Sequence, residues 1–544
     1  SIITMRPSST SGQPSHNSMQ EELGRRLWDP SGGMADQART APRGLRGLRQ
    51  RLDVARGDVL SAGTLMEALA DRYGDRHLVS EDGEEGLRLS YPQAADLVAR
   101  AAGSIRARIA PGDRVVVGTP NGYGLFLLTL AVARAGGVAV PLNPKSRPDE
   151  IDHIVADSGA SVVLRSIREV ADGDPVAPAP KARDGVAALF YTSGTTGKPK
   201  GAQLTDRALV GQAAKATLFP SSLAHAEVVS GMPVAHVAGF SMLAILAGLG
   251  LPIYLLRRFR PDTALDAIET RRAAMFVGVP AMYRMMLEAG AEERDLTSVH
   301  VWASGADAMP FELARSFQSM GSLVALPRSR RRVGMAAFIE GYGMVELGGG
   351  VAVKILPPGP ALPLSGLVGI PMPGCRIRVA ADDGTPVRRG EVGQLVVKGP
   401  GVMKGYHGQR DGSETFTSDG WLRTGDLAKR RHFGLVEFAG RKKDVIKHGG
   451  YSVFAVEVEA VLDQHPGVAE SAVVGLADTA KGEIPAAVVR VVSGEELSEE
   501  DVIAWAHERL ADYKVPQRIL FASELPRTGT DKVQKEELKK RFVP

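Results

Sequence analysis

Amphipathic segments alternate with short apolar runs from residue 64 to residue 164. The segments have apolar residues at helical spacing, and the runs have the length and β-branched content of buried strands. The predicted helices are 65–73, 90–109, 122–135 and 148–158, and the predicted strands are 114–118, 137–141 and 161–164. This alternation predicts a doubly wound α/β unit, with a parallel sheet between layers of helices.

The pattern repeats and then changes along the rest of the chain. A second doubly wound unit is predicted over 263–320, and short strands with glycine turns beyond residue 365 predict a small antiparallel or barrel-like subdomain. The last hundred residues predict a small, mobile α+β domain. The expected organisation is a disordered leader (1–45), a large N-terminal domain (46–440), a hinge (441–444) and a small C-terminal domain (445–544).

Composition excludes several classes of protein. The 544 residues include 66 basic and 62 acidic side chains, and the resulting net charge of +4 gives no general attraction to nucleic acid. The single cysteine, Cys375, excludes an intrachain disulfide and C-x-x-C metal sites, and favours a cytoplasmic protein. The uncharged run 228–256 is long enough for a membrane helix, but its prolines and glycines favour a buried helix between buried strands.

One loop has the composition of an anion site. Residues 191–201 read Y-T-S-G-T-T-G-K-P-K-G, with three glycines, two lysines and no acidic group. The apolar run before it, 186–190, predicts a strand, so backbone N–H groups of the loop can face phosphate oxygens. The close spacing of Gly194 and Gly197, and Pro199 after the first lysine, differ from the P-loop pattern. The loop therefore predicts a nucleoside triphosphate site of another kind.

The whole string resembles the signature of the adenylate-forming superfamily, which contains acyl-CoA synthetases, peptide-synthetase adenylation domains and luciferase. The chain is most similar to a bacterial fatty-acid or other acyl-CoA ligase. The resemblance implies ATP, Mg²⁺ and coenzyme A as cofactors, and a catalytic contact from Thr192. It also implies that the loop binds the nucleotide through Thr192, Ser193, Gly194, Thr195, Thr196 and Lys200.

Residues 340–346, E-G-Y-G-M-V-E, resemble the Y-G-x-T-E box of that family. The resemblance implies that Gly341, Tyr342 and Gly343 contact the adenine and that Glu346 ligates magnesium during catalysis. Without the family, E-G-Y-G would be an ordinary turn. Val345 replaces the threonine of the box, which removes a hydrogen bond to the α-phosphate worth about 1.5–3 kcal/mol.

Two further boxes concern the ribose and the thiol acceptor. Residues 421–426, W-L-R-T-G-D, resemble the T-G-D box, which implies that Asp426 binds both ribose hydroxyls and that Arg441 is a second ribose contact at the hinge. The segment 447–450 resembles an I-K-x-G-G segment, which implies a coenzyme A channel at Lys447, Gly449 and Gly450. A turn cap, a solvated charge run and a hairpin turn are the alternative explanations.

The C-terminal box carries the predicted catalytic lysine. Residues 526–533, P-R-T-G-T-D-K-V, resemble the P-R-T-x-x-G-K box, which implies that Lys532 bridges the attacking carboxylate and the α-phosphate. Such a lysine stabilises the negative charge that develops as pyrophosphate leaves. Asp531 replaces the usual glycine and brings a carboxylate next to this ammonium group.

The predicted acyl pocket is apolar and begins at the segment 233–240, P-V-A-H-V-A-G-F, which resembles the family's P-x-x-H-x-x-G segment. A lone histidine among apolar residues is more often a core residue, so the catalytic role of His236 depends on the resemblance. An uncharged pocket favours an aliphatic or aromatic monocarboxylate, and Arg284 is the one candidate for binding a second carboxylate. The predicted lining is His236, Val237, Phe240, Met282, Gly305 and Ala306.

The sequence thus predicts an ATP-dependent acyl-CoA synthetase that activates an apolar acid, expected to be a fatty acid, as acyl-AMP. Two alternatives stay open: a ligase that loads an acyl-carrier protein, and an impaired acyl-nucleotide-binding protein, suggested by Val345 and Asp531. A basic insertion at 326–333 has no counterpart in the family, and a solvated loop is the favoured interpretation. The alternatives are contact with the 3′-phosphate of coenzyme A, with an acidic carrier protein or with an anionic membrane surface. Neither nucleic-acid binding nor a transmembrane segment is expected.

Overall fold

The computed structural model describes residues 60–542, with interruptions. The interruptions are 84–85, 181, 183, 193–197, 220–225, 326–331, 360–365, 410–411 and 528–532, and at 324, 325 and 332 the structure describes the backbone only. The predicted leader, 1–45, lies outside the described residues.

The first part of the chain alternates helices and strands as predicted. Its elements are α1 (Leu65–Tyr73), β1 (His77–Glu81), β2 (Arg88–Ser90), α2 (Tyr91–Arg106), β3 (Arg114–Val117), α3 (Tyr123–Ala135), β4 (Val138–Pro141), α4 (Pro148–Ser158), β5 (Val162–Leu164), β6 (Val186–Thr192), β7 (Lys200–Thr205) and α5 (Asp206–Ala216). Five of the strands form a sheet in the order β5-β3-β4-β6-β7, which is parallel except for β7. Helix α3 is apolar on nearly all sides and is correspondingly buried.

The second part forms a larger sheet. Its elements are β8 (Val228–Ser230), α6 (Val237–Leu249), β9 (Ile253–Leu255), α7 (Pro261–Arg271), β10 (Met275–Gly278), α8 (Pro280–Glu288), β11 (Val301–Gly305), α9 (Phe311–Met320), β12 (Val324–Ala325), β13 (Arg332–Val333), β14 (Ala337–Met344), β15 (Gly349–Leu356) and β16 (Ile370–Pro371). Nine strands follow the order β16-β15-β14-β11-β10-β8-β9-β1-β2, so strands of the first part complete this sheet.

The uncharged run 228–256 consists of a buried helix between two buried strands, as predicted. Within the described parts of the chain, no helix combines the length and apolarity needed to cross a membrane. Two short strands pair at the basic insertion: β12 directly precedes it, and β13 forms its last two residues. The residues between them, 326–331, lie outside the described part of the chain.

The last part contains an antiparallel sheet and then a compact α+β unit. The sheet consists of β17 (Arg376–Ala380), β18 (Val392–Lys398), β19 (Leu422–Arg430) and β20 (Val436–Arg441). The α+β unit consists of β21 (Val445–His448), β22 (Tyr451–Phe454), α10 (Ala455–Leu462), β23 (Val468–Asp478), β24 (Gly482–Val491), α11 (Glu499–His507), β25 (Arg518–Phe521) and α12 (Lys535–Lys540). Two apolar clusters in this unit contain only residues beyond 445, so it has a core of its own.

These elements confirm the predicted fold class: doubly wound sheets and a small antiparallel subdomain, followed by a small α+β unit. The alternative explanation of the E-G-Y-G segment as a turn is wrong. The segment belongs to strand β14, because Gly341 pairs with β11 on one side and β15 on the other, and Gly343 pairs with β15.

Candidate active site

The predicted phosphate loop is carried by a β-hairpin. Thr192 is the last residue of β6, Lys200 is the first of β7, and the two are cross-strand partners. The structure thus confirms a strand directly before the loop. Ser193, Gly194, Thr195 and Thr196 lie outside the described residues, so their contacts with a nucleotide stay predictions.

Tyr406, which the sequence analysis did not single out, connects two of the predicted site residues. Its hydroxyl donates a hydrogen bond to Oε1 of Glu346 at 2.7 Å, and the ammonium group of Lys200 lies 5.4 Å from the centre of its ring. Its segment runs beside β7, where the backbone N–H of Gln203 donates to the carbonyl of Gly405. Burial and the neighbouring carboxylate raise the pKa of Tyr406, so its hydroxyl remains a donor.

The predicted adenine box lies at the end of a strand. Gly341 on β14 is the parallel partner of Gly305 at the end of β11. A Cβ atom added at Gly305 would lie 3.4 Å from the Gly341 carbonyl oxygen, so the two backbones run close together. Gly305 was predicted for the acyl pocket and Gly341 for the adenine site. Their pairing joins the two predicted sites at one edge of the sheet, where open α/β sheets bind ligands.

Tyr342, Asp426 and Arg441 meet although they come from three strands. The Tyr342 hydroxyl donates to Oδ2 of Asp426 at 2.6 Å, and Arg441 Nε lies 3.7 Å from Oδ1 of the same carboxylate. Asp426 and Arg441 are also cross-strand partners on β19 and β20. Burial, followed by the charge of Asp426, raises the pKa of Tyr342 well above its ordinary value. The predicted adenine and ribose boxes are therefore one connected group.

Glu346, the predicted magnesium ligand, lies in a short 3-10 turn after β14, beside the ends of β6 and β7. The described residues contain no group of three or more His, Cys, Asp or Glu side chains arranged to hold a metal ion. A single carboxylate suits Mg²⁺, which keeps several water ligands and binds phosphate oxygens of the nucleotide. The residues present therefore fit a magnesium ion that Glu346 and a nucleotide would hold together.

The predicted acyl-pocket residues separate into two groups. His236, Met282, Gly305 and Ala306 are partly exposed, whereas Val237 and Phe240 are 1% and 0% exposed. Phe240 packs against Phe126 and Phe190 at ring-centre distances of 4.8 and 5.6 Å. Val237 and Phe240 thus belong to the core, because α6 is apolar on all sides, and in this structure they offer no surface to an acid.

His236 precedes α6 and caps it. Its Nδ1 accepts a hydrogen bond from the backbone N–H of Ala238 at 3.2 Å, which leaves the proton of a neutral imidazole on Nε2. The ring is partly exposed, so it is not enclosed in the apolar core. Ala306, another residue of the predicted lining, directly follows β11 and has a φ of 71°. A positive φ is uncommon for alanine and is often found where a backbone is shaped for a ligand.

Arg284, the candidate for binding a second carboxylate, pairs in this structure with a carboxylate of the chain itself. Its guanidinium group pairs with Glu470 of the α+β unit, with Nη1 3.3 Å from Oε1.

The β21–β22 hairpin contains the three residues predicted for the coenzyme A channel, Lys447, Gly449 and Gly450, and both glycines have a positive φ, 55° and 85°. The hairpin contacts its own unit, since Lys447 N–H donates to Glu483 and Gly449 N–H to the carbonyl of Lys481.

The residues on either side of the Lys532 segment lie across a cleft from a residue near the phosphate loop. Arg147 directly precedes α4, whose His153 side chain approaches the Pro199 carbonyl oxygen at 2.9 Å. A cleft of about 550 Å³ separates Arg147 from Pro526, Gln534, Glu537, Lys540 and Arg541. Arg527 forms an isolated bridge with Val533. Asp531 and Lys532 lie between them, outside the described residues.

Comparison with known proteins identifies the family that the chain matches and several relatives. Residues 66–182 and 165–407 match the family described as AMP-binding enzyme, and residues 457–532 match the AMP-binding enzyme C-terminal domain. The chain is 35% identical to feruloyl-CoA synthase from Amycolatopsis sp., covering 84% of this chain and 94% of the relative. It is 31% identical to indoleacetate–CoA ligase from Aromatoleum aromaticum, with coverage of 86% and 96%.

Relatives of similar identity have other names. Long-chain-fatty-acid–CoA ligase FadD13 from Mycobacterium tuberculosis is 29% identical, with coverage of 84% and 93%. Fatty acid–[acyl-carrier-protein] ligase ScoC from Streptomyces coeruleorubidus is 30% identical, with coverage of 84% and 92%. Among solved structures, ATP-bound MatB from Rhodopseudomonas palustris aligns with a TM-score of 0.76 and 29% identity, covering 89% of this chain and 99% of that one.

Proposed function

The chain belongs to the AMP-binding enzyme family and is an acid–thiol ligase, and on that premise we propose that it is an ATP-dependent acyl-CoA synthetase for an apolar carboxylic acid. The observation that carries the proposal is the meeting of Tyr342, Asp426 and Arg441 beside the Gly305–Gly341 pair. An aromatic ring and a carboxylate held in this way suit a base and a ribose.

In the proposed reaction, a carboxylate oxygen of the acid attacks the α-phosphorus of ATP and the bond to pyrophosphate breaks. The thiol of coenzyme A then attacks the acyl carbon, AMP leaves, and the thiol proton goes to solvent. Magnesium, when bound, neutralises phosphate charge. Thr192 and Lys200 would bind phosphates, Glu346 would hold the metal, and Lys532 would stabilise the charge that develops in the first step.

The first step needs Lys532 near the α-phosphorus and the second needs the thiol at the acyl carbon, so we propose that the α+β unit turns about 441–444 between them. Arg441 ends β20, a short 3-10 turn covers Lys442–Asp444, and Val445 begins β21. A connection of this length absorbs rotation by changing few backbone angles. The turn would bring Lys447, Gly449 and Gly450 towards the acyl carbon for the thiol step.

Two classes of acid fit the partly exposed residues of the predicted pocket, Met282, Gly305 and Ala306, which carry no charge. A fatty acid is the first candidate, in line with the similarity to FadD13. An aromatic acid is the second, and the names of the feruloyl-CoA and indoleacetate ligases favour it. The ion pair of Arg284 with Glu470 makes a dicarboxylate less suited, since the second carboxylate would compete with Glu470.

A panel of acids tests the proposal. The protein is incubated with ATP, Mg²⁺ and single fatty, aromatic and dicarboxylic acids, with and without coenzyme A, and AMP and thioester are followed by mass spectrometry. We expect a thioester only when coenzyme A is present. Acyl-AMP that converts only with an acyl-carrier protein would favour the acceptor named for ScoC, and no turnover with any acid would favour an impaired nucleotide-binding protein.

Lys532→Ala separates the two steps. The variant should lose formation of acyl-AMP while it still makes thioester from supplied acyl-AMP and coenzyme A, because the lysine charge is needed only while pyrophosphate leaves. ATP–pyrophosphate exchange at the wild-type rate in this variant would contradict the proposed role.

A further inference from the structure

A buried carboxylate connects the α+β unit to the large part of the chain. Glu470 lies on β23 and is 6% exposed. Its two oxygens accept hydrogen bonds from Arg527 at 2.5 and 2.7 Å, and Oε1 also pairs with Arg284 at 3.3 Å. Arg284 belongs to α8 of the large part, whereas Arg527 comes five residues before Lys532 in the sequence. One side chain therefore holds both segments.

A second ion pair continues the same interface. Arg490 on β24 is the cross-strand partner of Glu470, and it pairs with Glu288 at 3.0 Å. Arg284 and Glu288 are four residues apart on α8, so they lie on one helix face. A positive and a negative side chain on the helix thus face a negative and a positive side chain on the sheet. This arrangement fixes both the register and the orientation of the contact.

The two pairs differ in exposure, and the difference predicts unequal energetic weight. The side chains of Arg284 and Glu470 are 20% and 8% exposed, whereas that of Glu288 is 57% exposed. Exposed ion pairs contribute little, but removing one partner of a buried pair leaves a charge without compensation. Glu470 should therefore dominate the interface.

In this arrangement the C-terminal segment lies at the nucleotide edge. Pro526 and Gln534, six residues before and two residues after Lys532 in the sequence, face Arg147 across the cleft. Arg147 directly precedes α4, and the Nε2 atom of His153 on that helix lies 2.9 Å from the carbonyl oxygen of Pro199 in the phosphate-loop hairpin. The contacts of Glu470 thus belong to the arrangement that the first step requires.

We propose that Glu470 is a positioning residue for the formation of acyl-AMP, because it holds α8 and Arg527 together and so keeps the C-terminal segment at the phosphate edge. This inference rests on the proposed function. The pairs with α8 break when the α+β unit turns for the thiol step, so they favour the first step alone.

The test compares the two steps in Glu470→Gln. With an acid that the panel identifies, ATP–pyrophosphate exchange should fall at least tenfold in kcat, with little change in KM for ATP. Thioester formation from supplied acyl-AMP should stay within about twofold of wild type, because the pairs with α8 are already broken in that step. A loss of about 1.4 kcal/mol common to both steps would instead lower thioester formation tenfold as well. Glu457→Gln is the matched control, because Glu457 pairs with Lys514 inside the same unit; both steps should be unchanged.

Charge reversal at the second pair gives an independent test if Glu470→Gln does not fold. Arg490→Glu should lower exchange several-fold by placing two carboxylates together, and Glu288→Arg combined with Arg490→Glu should restore it. Equal losses in both steps for Glu470→Gln, or no rescue by the charge swap, would overturn the proposal. Absence of ATP–pyrophosphate exchange in the wild-type protein would instead contradict the proposed function. A failure of the proposed role of Glu470 can therefore be told apart from a failure of the proposed function.

Discussion

The Tyr342 hydroxyl donates a hydrogen bond to Asp426 at 2.6 Å, although 84 residues separate the two in the sequence. The bond joins the strand predicted to face the adenine with the strand predicted to face the ribose. Arg441 approaches the other oxygen of the same carboxylate. A nucleotide bound here would meet a carboxylate whose orientation is already fixed, which lowers the entropic cost of binding.

Removing the Asp426 carboxylate should weaken ATP binding more than removing the Tyr342 hydroxyl. Hydrogen bonds to a charged group contribute about 1.5–3 kcal/mol, so Asp426→Ala should raise KM for ATP about 10- to 150-fold in pyrophosphate exchange. Tyr342→Phe keeps the ring, and its effect should stay within about tenfold. A KM for Asp426→Ala equal to that of the wild type would show that the carboxylate does not bind the ribose.

The same pair predicts a pH dependence. An unperturbed tyrosine ionises near pH 10, but burial and Asp426 raise the pKa of Tyr342 well above that value. The hydroxyl therefore stays protonated, and KM for ATP should not rise between about pH 7 and pH 10 because of this group. Tyr342→Phe is the control for this profile, because a rise in the wild type that the variant lacks would contradict a raised pKa.

Of two alanine substitutions in the adenine box, one should weaken ATP binding and the other should lower stability. A Cβ atom at Gly341 would meet, among the described residues, only the Ser304 carbonyl oxygen at 3.9 Å, whereas one at Gly343 would lie 2.0 Å from the Gly349 carbonyl oxygen. Gly341→Ala should unfold at the wild-type temperature but bind ATP more weakly, because the methyl group occupies the predicted nucleotide face. Gly343→Ala should lower the unfolding temperature.

Calorimetry and ATP titration separate these two outcomes. If Gly341→Ala binds ATP as the wild type does, the nucleotide does not approach the backbone of β14 at this point. Gly305→Ala is a useful third variant, since its Cβ atom would lie 3.4 Å from the Gly341 carbonyl oxygen, an ordinary contact distance.

Glu346→Gln should lower pyrophosphate exchange at least about 100-fold, because the amide is a weaker ligand for a metal that stabilises several kcal/mol of transition-state charge. The concentration of Mg²⁺ needed for half-maximal rate should also increase. Tyr406→Phe keeps the ring beside Lys200 and removes only the bond to Glu346, so we expect a loss of about tenfold or less. An unchanged Mg²⁺ requirement in Glu346→Gln would exclude Glu346 as the ligand.

Val345→Thr tests the departure from the family pattern. The side chain of Val345 is 6% exposed and contributes to the largest apolar cluster. A hydroxyl there should lower the free energy of unfolding by about 1–3 kcal/mol in the absence of ATP. It should speed exchange several-fold if it reaches the α-phosphate. An exchange rate equal to that of wild-type protein would indicate that the hydroxyl does not reach the phosphate.

The elements were predictable from the sequence where periodicity is local. Helices 65–73 and 148–158 begin and end as predicted, because their apolar spacing and, in the second case, the opening proline act over a few residues. The uncharged run 228–256 was also correctly predicted as a helix between two strands. Local patterns do not fix pairing, however, and glycines at 341 and 343 suggested a turn although neighbouring strands hold them in a sheet.

Contacts between distant segments were the part of the site that the sequence did not reveal. Tyr406 and Glu470 occur in stretches without a recognisable motif, and their partners lie 60 and 186 residues away. Val237 and Phe240 were assigned to the pocket because they are apolar and lie in the segment 233–240, which resembles the family's P-x-x-H-x-x-G segment. Apolar character is shared by pocket and core, and only the packing of α6 distinguishes the two.

In the proposed mechanism, the acid becomes an acyl-adenylate before it becomes a thioester. The most direct measurement uses an acid from the panel that carries the heavy oxygen isotope in both carboxylate positions, with ATP, Mg²⁺, coenzyme A and wild-type protein. Attack of a carboxylate oxygen on the α-phosphorus transfers that oxygen to AMP, so mass spectrometry should find one heavy oxygen in AMP for each thioester formed. Thioester accompanied by unlabelled AMP, or by ADP, would contradict the proposed mechanism.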